Sequence, residues 1–280
     1  MIEESFQPED KFVLVGSLRL HYVDWGENGP PLVLLHGGRI TGRSWDAAAR
    51  GLSPFFHVIA LDARGHGDSD KPSKGYTYSQ RAEDLEGFLN ALGMNHSYGM
   101  SHSTGAVTMA VHEIEFPGKF DKIILIEPPI QPRPRSSGSP RPTNNPRSQR
   151  RVWPNKSELD QYLKEHPRTK RWTEESRRSV VEHGVNQLQD GSVEMKWTVD
   201  AYNPEEMSQN NPRLLESAPS IPIPITLIYG TNGIGTRSDV EQFNQALPNS
   251  QLIWVEKAGH NVYMEEPVII IETARNFFLD

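Results

Sequence analysis

Cysteine is absent from the 280 residues of this chain, and its absence excludes several kinds of chemistry. Disulfide bonds, thiolate nucleophiles and zinc sites built on cysteine cannot form. No apolar run approaches the roughly 20 residues that a membrane-spanning helix needs, and the acidic, polar N-terminal segment does not have the pattern of a secretory signal. We therefore expect a protein without a membrane partner, located in the cytoplasm.

An excess of positive charge is also lacking. The chain carries 29 basic and 36 acidic residues, a net charge of −7, which argues against a nucleic-acid partner. Its apolar fraction of 36% and charged fraction of 23% are ordinary for a globular protein. The length suits one large domain, or a core with a small inserted unit. Nothing in the sequence specifies an oligomeric state.

Short apolar runs separated by helical segments indicate the order of the elements. Strands are predicted at Lys11–Val15, Leu18–Asp24, Pro31–Leu35, Val58–Leu61, Ile123–Ile126, Ile223–Tyr229 and Gln251–Val255. Helices are predicted at Tyr78–Leu92, at Val268–Phe278 and, with Ser44 as N-cap, in a segment that ends at Leu52. Strands that alternate with helices pair in parallel, whereas the first two runs form a hairpin. We therefore predict an α/β fold, a doubly wound, mostly parallel sheet with an antiparallel edge.

Residues 131–217 break this alternation. Between Gln131 and Arg151 the chain is rich in proline, serine and asparagine, with six arginines and no acidic residue. This composition predicts a long surface loop, whose arginines are either solvated or attract an anionic substrate. Helices are predicted after it at Ser157–Lys164, Thr173–His183 and Pro204–Met207. We interpret residues 131–217 as a helical cap over one end of the sheet, with 1–130 and 218–280 forming the core.

The segment Tyr98–Ala106 has the pattern of a turn that exposes a nucleophile. It links a short strand to a helix and contains Ser103, with Ser101 and Gly105 as small neighbours two residues to either side. A sharp strand-to-helix turn pushes a serine hydroxyl out of the fold, and the helix directs N–H groups at developing negative charge. Two alternatives remain open: Ser101 is the exposed serine, or the turn has no chemical role.

Three further motifs accompany this turn, and the four together resemble the α/β-hydrolase superfamily. They are Leu35–Gly38 (LHGG), Asp62–Ser69 (DARGHGDS), Ser101–Gly105 (SHSTG) and Ala258–Asn261 (AGHN). The resemblance implies an eight-stranded sheet, Ser103 as nucleophile, His260 as general base, and the backbone N–H groups of Gly38 and Thr104 as the oxyanion hole. It favours Ser103 over Ser101 through the register of the elbow. We expect neither a metal ion nor a cofactor.

The acid of the proposed triad departs from the commonest family pattern. Most relatives place an aspartate three residues after the glycine that ends the seventh strand, which is Gly230 here. The residues that follow, 231–236, contain no carboxylate. A subset of the superfamily takes its acid from the end of the sixth strand, and Glu127 stands there. The resemblance therefore implies Glu127 as the partner of His260, the alternative being an acidic residue without a role.

The elbow serine narrows the class of reaction. Haloalkane dehalogenases and epoxide hydrolases of this superfamily use a carboxylate nucleophile, so serine argues against both. Hydrolysis of a small-molecule carboxylic ester through an acyl-enzyme is the leading hypothesis. A C–C bond hydrolase, a lactonase or an amidase with the same triad stays open, as does a non-catalytic binding protein on this scaffold.

One arginine and four aromatic residues give the information that the sequence holds about the substrate. Arg39 follows the oxyanion loop, where it can contact an acidic substrate. The cap aromatics are either walls of the substrate pocket or core of the cap; they are Trp153, Trp172, Trp197 and Tyr202.

Overall fold

A computed structural model describes residues 7–26, 28–130, 150–202, 206 and 213–280. It contains eleven strands: β1 Glu9–Val15, β2 Leu18–Asp24, β3 Pro31–Leu35, β4 His57–Leu61, β5 Ser97–His102, β6 Phe120–Ile126, β7 Val152–Trp153, β8 Val185–Gln187, β9 Val193–Met195, β10 Ile225–Gly230 and β11 Ser250–Val255. Eight of them form the central sheet in the order β1-β2-β4-β3-β5-β6-β10-β11. The pairs from β4 to β11 are parallel, whereas β2 pairs antiparallel with β1 and β4. The predicted fold class and its antiparallel edge are confirmed.

Helices cover both faces of this sheet. The α-helices among the described residues are α1 Asp46–Leu52, α2 Tyr78–Ala91, α3 Thr104–Glu115, α4 Lys156–Glu165, α5 Glu174–His183, α6 Leu214–Ser217, α7 Arg237–Ala246, α8 Val262–Glu265 and α9 Pro267–Leu279. Helices α1 and α9 pack in one apolar cluster and α2, α3 and α7 in the other. Successive residues of β3 alternate between the two clusters, Leu32 and Leu34 in the first, Val33 and Leu35 in the second. This alternation is the period-two pattern of a strand buried on both faces.

The inserted region contributes helices and a small sheet. Helices α4 and α5 lie where Ser157–Lys164 and Thr173–His183 were predicted helical, and their apolar residues join the cluster of α1 and α9. A three-stranded antiparallel sheet in the order β7-β9-β8 lies beside them and was not predicted. Most of the arginine-rich loop and of the predicted helix Pro204–Met207 lies outside the described residues. The domain boundaries stay a prediction.

The start of α1 differs from the prediction. Ser44 lies inside a 3-10 helix, Gly42–Trp45, and α1 begins at Asp46. The Ser44 hydroxyl donates to the carbonyl oxygen of Thr41 at 2.6 Å and accepts a hydrogen bond from the Tyr263 hydroxyl. Ser44 as N-cap was therefore wrong, because this side chain serves the preceding turn and a tertiary contact. No helix in the described ranges is long and apolar enough to cross a membrane.

Candidate active site

Ser103 lies at the sharp turn between β5 and α3. Its backbone adopts φ 52° and ψ −115°, a conformation that residues other than glycine rarely take. A side chain at Gly105 would lie 2.5 Å from the carbonyl oxygen of His36, so the approach of this loop requires glycine. The Ser101 hydroxyl points into the core, where it lies 3.5 Å from the carbonyl oxygen of Ile124. The structure thus places Ser103, not Ser101, at the point of the turn.

His260 and Glu127 form a chain of hydrogen-bond contacts with Ser103. The Oγ of Ser103 is 3.0 Å from Nε2 of His260, and Nδ1 of the same ring is 3.1 Å from a carboxyl oxygen of Glu127. A carboxylate only accepts hydrogen bonds, so Nδ1 carries the ring proton and Nε2 accepts from the serine hydroxyl. An arrangement of this kind can remove a proton from the hydroxyl and stabilise the imidazolium that forms.

Sheet topology explains why residues so distant in sequence meet. Ser103 follows β5, Glu127 follows β6, the loop 231–236 follows β10, and His260 follows β11. These four strands are consecutive neighbours in the sheet and run parallel. Their carboxyl ends therefore open at one edge, the usual position for a ligand site in such sheets.

The loop after β10 encloses the Glu127 carboxylate. Glu127 is 0% exposed, and its two oxygens accept hydrogen bonds from the backbone N–H groups of Gly230 at 2.8 Å and Ile234 at 2.7 Å. A Cβ atom at Gly233 would lie only 1.8 Å from a carboxyl oxygen of Glu127. The loop after β10, which contains no carboxylate, thus binds the carboxylate of Glu127 at the end of the neighbouring strand β6. Sequence reasoning missed these contacts, although two glycines in Gly230–Gly233 signal a close backbone approach.

The loop after β3 lies directly against the elbow. A Cβ atom at Gly37 would be 3.3 Å from Cβ of Ser103. Thr104 is the first residue of α3, so its N–H has no acceptor inside the helix. The structure records no acceptor for the N–H groups of Gly38 and Thr104 in the part of the chain that it describes. Free donors of this kind can bind an oxyanion.

A tyrosine of the inserted region holds this loop. Burial lowers the pKa of the His66 imidazole well below its usual value, and its Nδ1 lies 3.0 Å from the Arg64 carbonyl oxygen. Its Nε2 therefore accepts the hydrogen bond from the Tyr202 hydroxyl at 2.7 Å. A Cβ atom at Gly38 would lie 2.8 Å from the Tyr202 hydroxyl oxygen, so this side chain packs directly against the loop. Tyr202, predicted as pocket wall or cap core, thus connects the insertion with the loop after β3.

The loop that carries His260 is fixed at two points. Burial lowers the pKa of His102 well below its usual value, and its Nε2–H donates to the backbone carbonyl of His260 at 2.8 Å. A carboxyl oxygen of Glu265 accepts the N–H of Gly259 at 2.8 Å and the Nε–H of Arg171, also at 2.8 Å. Both contacts were missing from the sequence interpretation.

Arg39 is exposed at the end of the loop after β3, with φ 68°. Its guanidinium carbon lies 5.4 Å from the ring centre of Trp197 and 5.0 Å from that of Tyr202. The other two predicted wall residues, Trp153 and Trp172, are buried in the apolar cluster that joins insertion and core.

One group of described residues has the spacing of a metal site, and it does not include Ser103, His260 or Glu127. His21, Asp62 and Asp68 have ligand atoms within 4.8 Å of one another. Both ring nitrogens of His21 are already bonded, Nδ1 to Asp62 at 2.6 Å and Nε2 to Asp10 at 3.0 Å. Asp62 also accepts the N–H groups of Gly42 and Asp68. These contacts fit a structural network that anchors the loop after β3, and leave no ring nitrogen for a cation.

Known proteins resemble this chain in sequence. Residues 32–273 match the sequence profile of the family described as the Alpha/beta hydrolase family. The chain is 35% identical over 116 residues to a non-heme chloroperoxidase of Streptomyces lividans, covering 40% of this chain and 42% of that protein. It is 33% identical over 115 residues to epoxide hydrolase 3 of Mus musculus, covering 40% and 31%. It is 30% identical over 113 residues to the 2-(acetamidomethylene)succinate hydrolase of Mesorhizobium japonicum, covering 40% of both. Each match spans less than half of the relative.

Solved structures are similar over nearly the whole chain. A crystal structure of E-2-(acetamidomethylene)succinate hydrolase superposes with a TM-score of 0.83 at 20% identity, covering 98% of this chain and 100% of that one. A thioesterase domain from the curacin biosynthetic pathway superposes with a TM-score of 0.81 at 19% identity, covering 96% and 99%. At this level of identity the likeness shows a shared fold.

Proposed function

The chain belongs to the alpha/beta hydrolase family, and from this premise we propose that it hydrolyses a small-molecule carboxylic ester through Ser103, His260 and Glu127. The observation that carries the proposal is the continuous relay from the Ser103 hydroxyl to the buried Glu127 carboxylate, with steps of 3.0 and 3.1 Å. Both steps are within the reach of a hydrogen bond, which a nucleophile and its base require.

The first half of the reaction acylates the serine. As Ser103 Oγ attacks the ester carbonyl, His260 Nε2 takes its proton, and the Glu127 carboxylate stabilises the resulting imidazolium. The negative charge that develops on the carbonyl oxygen is bound by the N–H groups of Gly38 and Thr104. Each such donor is typically worth about 3 kcal/mol in the transition state. The imidazolium then protonates the departing alcohol, which leaves an acyl-serine.

The second half repeats these roles with water. His260 removes a proton from a water molecule that attacks the acyl carbonyl, and the same two N–H groups bind the oxyanion. Collapse of the tetrahedral intermediate returns the proton to Ser103 Oγ and releases the carboxylic acid.

Hydrolysis of an amide bond is the second candidate. The relative named 2-(acetamidomethylene)succinate hydrolase is similar to this chain in sequence, and a protein of that name is similar in structure. Its substrate, by name, carries an acetamido group, and the same triad can cleave either bond. Rates on a 4-nitrophenyl ester and on the matching 4-nitroanilide discriminate the two.

A fluorophosphonate probe tests the nucleophile. We expect the probe to label the wild type and Ser101→Ala but not Ser103→Ala. Ser101 is the matched control, because it is two residues away and its hydroxyl faces the core. Labelling that persists in Ser103→Ala would contradict the proposal, and so would a wild type that resists the probe and turns over no short-chain 4-nitrophenyl ester.

A further inference from the structure

We propose that Arg39 binds a carboxylate of the substrate, so that the preferred ester is anionic. The inference rests on the proposed hydrolysis at Ser103. Gly38 supplies an oxyanion donor, and the Cα of Arg39 is one peptide unit, about 3.8 Å, further along the chain. An arginine side chain that starts there reaches groups a few atoms away from the scissile carbonyl.

Backbone conformation sets Arg39 apart from an ordinary surface arginine. Four non-glycine residues in the described ranges have a positive φ: Arg39, Ser103, Glu127 and Lys257. Two of them belong to the proposed triad. A glycine would adopt this conformation without strain, and the chain has glycine at both preceding positions, yet it has arginine at position 39. Strained residues of this kind cluster at ligand sites, where the side chain is needed.

Two aromatic rings give the side chain a defined place. The guanidinium lies 5.4 Å from the Trp197 ring and 5.0 Å from the Tyr202 ring, distances at which a cation is attracted to the ring face. Contact with ring faces leaves the N–H groups along the guanidinium edge free for a planar anion, which carboxylate matches.

A second arginine on the same ring provides an internal comparison. Arg151 lies 5.3 Å from the Trp197 ring, but it is paired with Glu194 at 2.9 Å and with the Trp197 carbonyl oxygen at 2.7 Å. No described residue gives the Arg39 guanidinium an ion pair or a hydrogen bond, although it stacks on the same indole. Its positive charge is therefore available to a ligand.

The carboxylates around the site are already engaged. Glu127 accepts from His260 and two backbone N–H groups, and Glu265 accepts from Arg171 and Gly259. The Asp62 carboxylate is bound by His21 and two N–H groups. None of these three acids is free to neutralise Arg39, and no described carboxylate forms an ion pair with it, so within the described residues its charge is left for an anionic substrate.

Paired esters test the inference. Mono(4-nitrophenyl) succinate carries a carboxylate, whereas 4-nitrophenyl pentanoate has a similar acyl length without one. We expect wild-type kcat/KM to favour the succinate ester. Arg39→Ala should reduce the ratio of the two kcat/KM values roughly ten- to hundredfold, the range for hydrogen bonds to a charged group. Arg39→Lys should retain part of the preference, because lysine keeps the charge without the bidentate geometry.

Arg275→Ala is the matched control. Arg275 is also exposed and lies 4.0 Å from the ring of Phe55, which precedes the amino end of β4 and so lies at the end of the sheet away from Ser103. An unchanged preference in Arg39→Ala, or an equal loss in Arg275→Ala, overturns the inference.

Titration with succinate separates this inference from the ester chemistry. If the wild type cleaves neither ester, the proposed function fails, and binding of succinate measured by calorimetry decides about Arg39 alone. Affinity that falls at least tenfold in Arg39→Ala and stays constant in Arg275→Ala supports the carboxylate site. Equal affinity in all three proteins, or no binding to any, overturns it.

Discussion

The Glu127 carboxylate receives three donors, the N–H groups of Gly230 and Ile234 and the ring N–H of His260. All three donors are satisfied only if both side-chain oxygens of residue 127 accept hydrogen bonds. This requirement explains why a carboxylate, and not its amide, occupies the position.

The substitution Glu127→Gln tests this residue. An amide has one acceptor oxygen, so at least one buried donor loses its partner, which costs roughly 1–3 kcal/mol of stability. The imidazolium of His260 also loses its counter-charge, and we expect kcat to fall by two to four orders of magnitude with little change in KM. Kinetics and thermal unfolding measure both effects. Glu241→Gln, at an exposed position of α7, is the control, and wild-type kcat in Glu127→Gln would refute the assignment.

Tyr202→Phe probes the loop after β3, which carries the proposed oxyanion donor Gly38, without changing the proposed triad. The change removes a hydroxyl that donates to Nε2 of His66 and lies directly against Gly38 of this loop. Because the loop loses a point of attachment, we expect kcat to fall about tenfold while KM changes less, the signature of a weaker transition-state contact. Tyr162→Phe, in the insertion and packed on the same apolar cluster, serves as control. Equal losses in both variants would indicate a packing effect instead.

The sequence located the site residues through local motifs together with the family resemblance. Ser103 stands in a small-residue turn, and the resemblance of the Gly-His loop implied His260. Because residues 231–236 contain no carboxylate, the resemblance to the subset with an acid after the sixth strand implied Glu127. Tyr202 and the Gly230–Gly233 cradle were missed as contacts, since each acts on a residue more than 100 positions away, and no local pattern records such a pairing.

At the scale of elements, prediction succeeded where periodicity was long and failed where it was short. The bounds of β2 and β3 match the predicted runs, and α2 begins at the predicted Tyr78. The strands β7, β8 and β9 have two or three residues each, too few for a period-two pattern to be visible. Ser44 failed as a cap because a tertiary contact with Tyr263 decides its hydrogen bonds.

Gly233→Ala tests whether the loop after β10 positions the Glu127 carboxylate. The added Cβ would approach a carboxyl oxygen of Glu127 to 1.8 Å and its Cδ to 2.4 Å. Either the loop or the carboxylate must move, and we expect kcat to fall at least tenfold because an error of about 1 Å in the relay is costly.

Gly51→Ala provides the matched control for this loop. Its added Cβ meets Ile271 Cδ1 at 2.4 Å, a flexible end that can shift, so activity should be unaffected. Full activity in Gly233→Ala, with Glu127 still hydrogen-bonded to His260 in a crystal structure, would contradict a role for this loop in positioning Glu127.

At the scale of the whole molecule, Asp46 links the core to the insertion at a cost in stability. Its side chain is 6% exposed and lies beside Ser179 of α5, and one of its carboxyl oxygens is buried without a hydrogen-bond partner among the described residues. Burial raises the pKa of Asp46 from 3.8 to about 7. Arg43, 3.7 Å away, offsets this only in part, because it lies closer to Asp10, at 2.7 Å.

The sign of the resulting pH dependence follows from this shift. Between pH 4 and 7 the folded chain retains a proton that the unfolded chain has lost, so stability falls as pH rises through this window, by at most about 4 kcal/mol. Asp46→Asn removes the titration. We expect its Tm to equal that of the wild type near pH 4 and to exceed it at pH 8. Asp121→Asn, at an exposed site, should show no such difference, and a lower Tm for Asp46→Asn at pH 8 would contradict the account.

The distance along the chain between Ser103 and His260 has a consequence for protein synthesis. The two residues are 157 positions apart, and a ribosome adds about 5–20 residues per second, so the serine is made roughly 8 to 30 s before its base. During that interval the nascent chain carries Ser103 without the histidine that the proposed mechanism requires. A stalled ribosome or a shortened message that stops in between thus yields a chain that, on the proposed mechanism, has no base to activate Ser103.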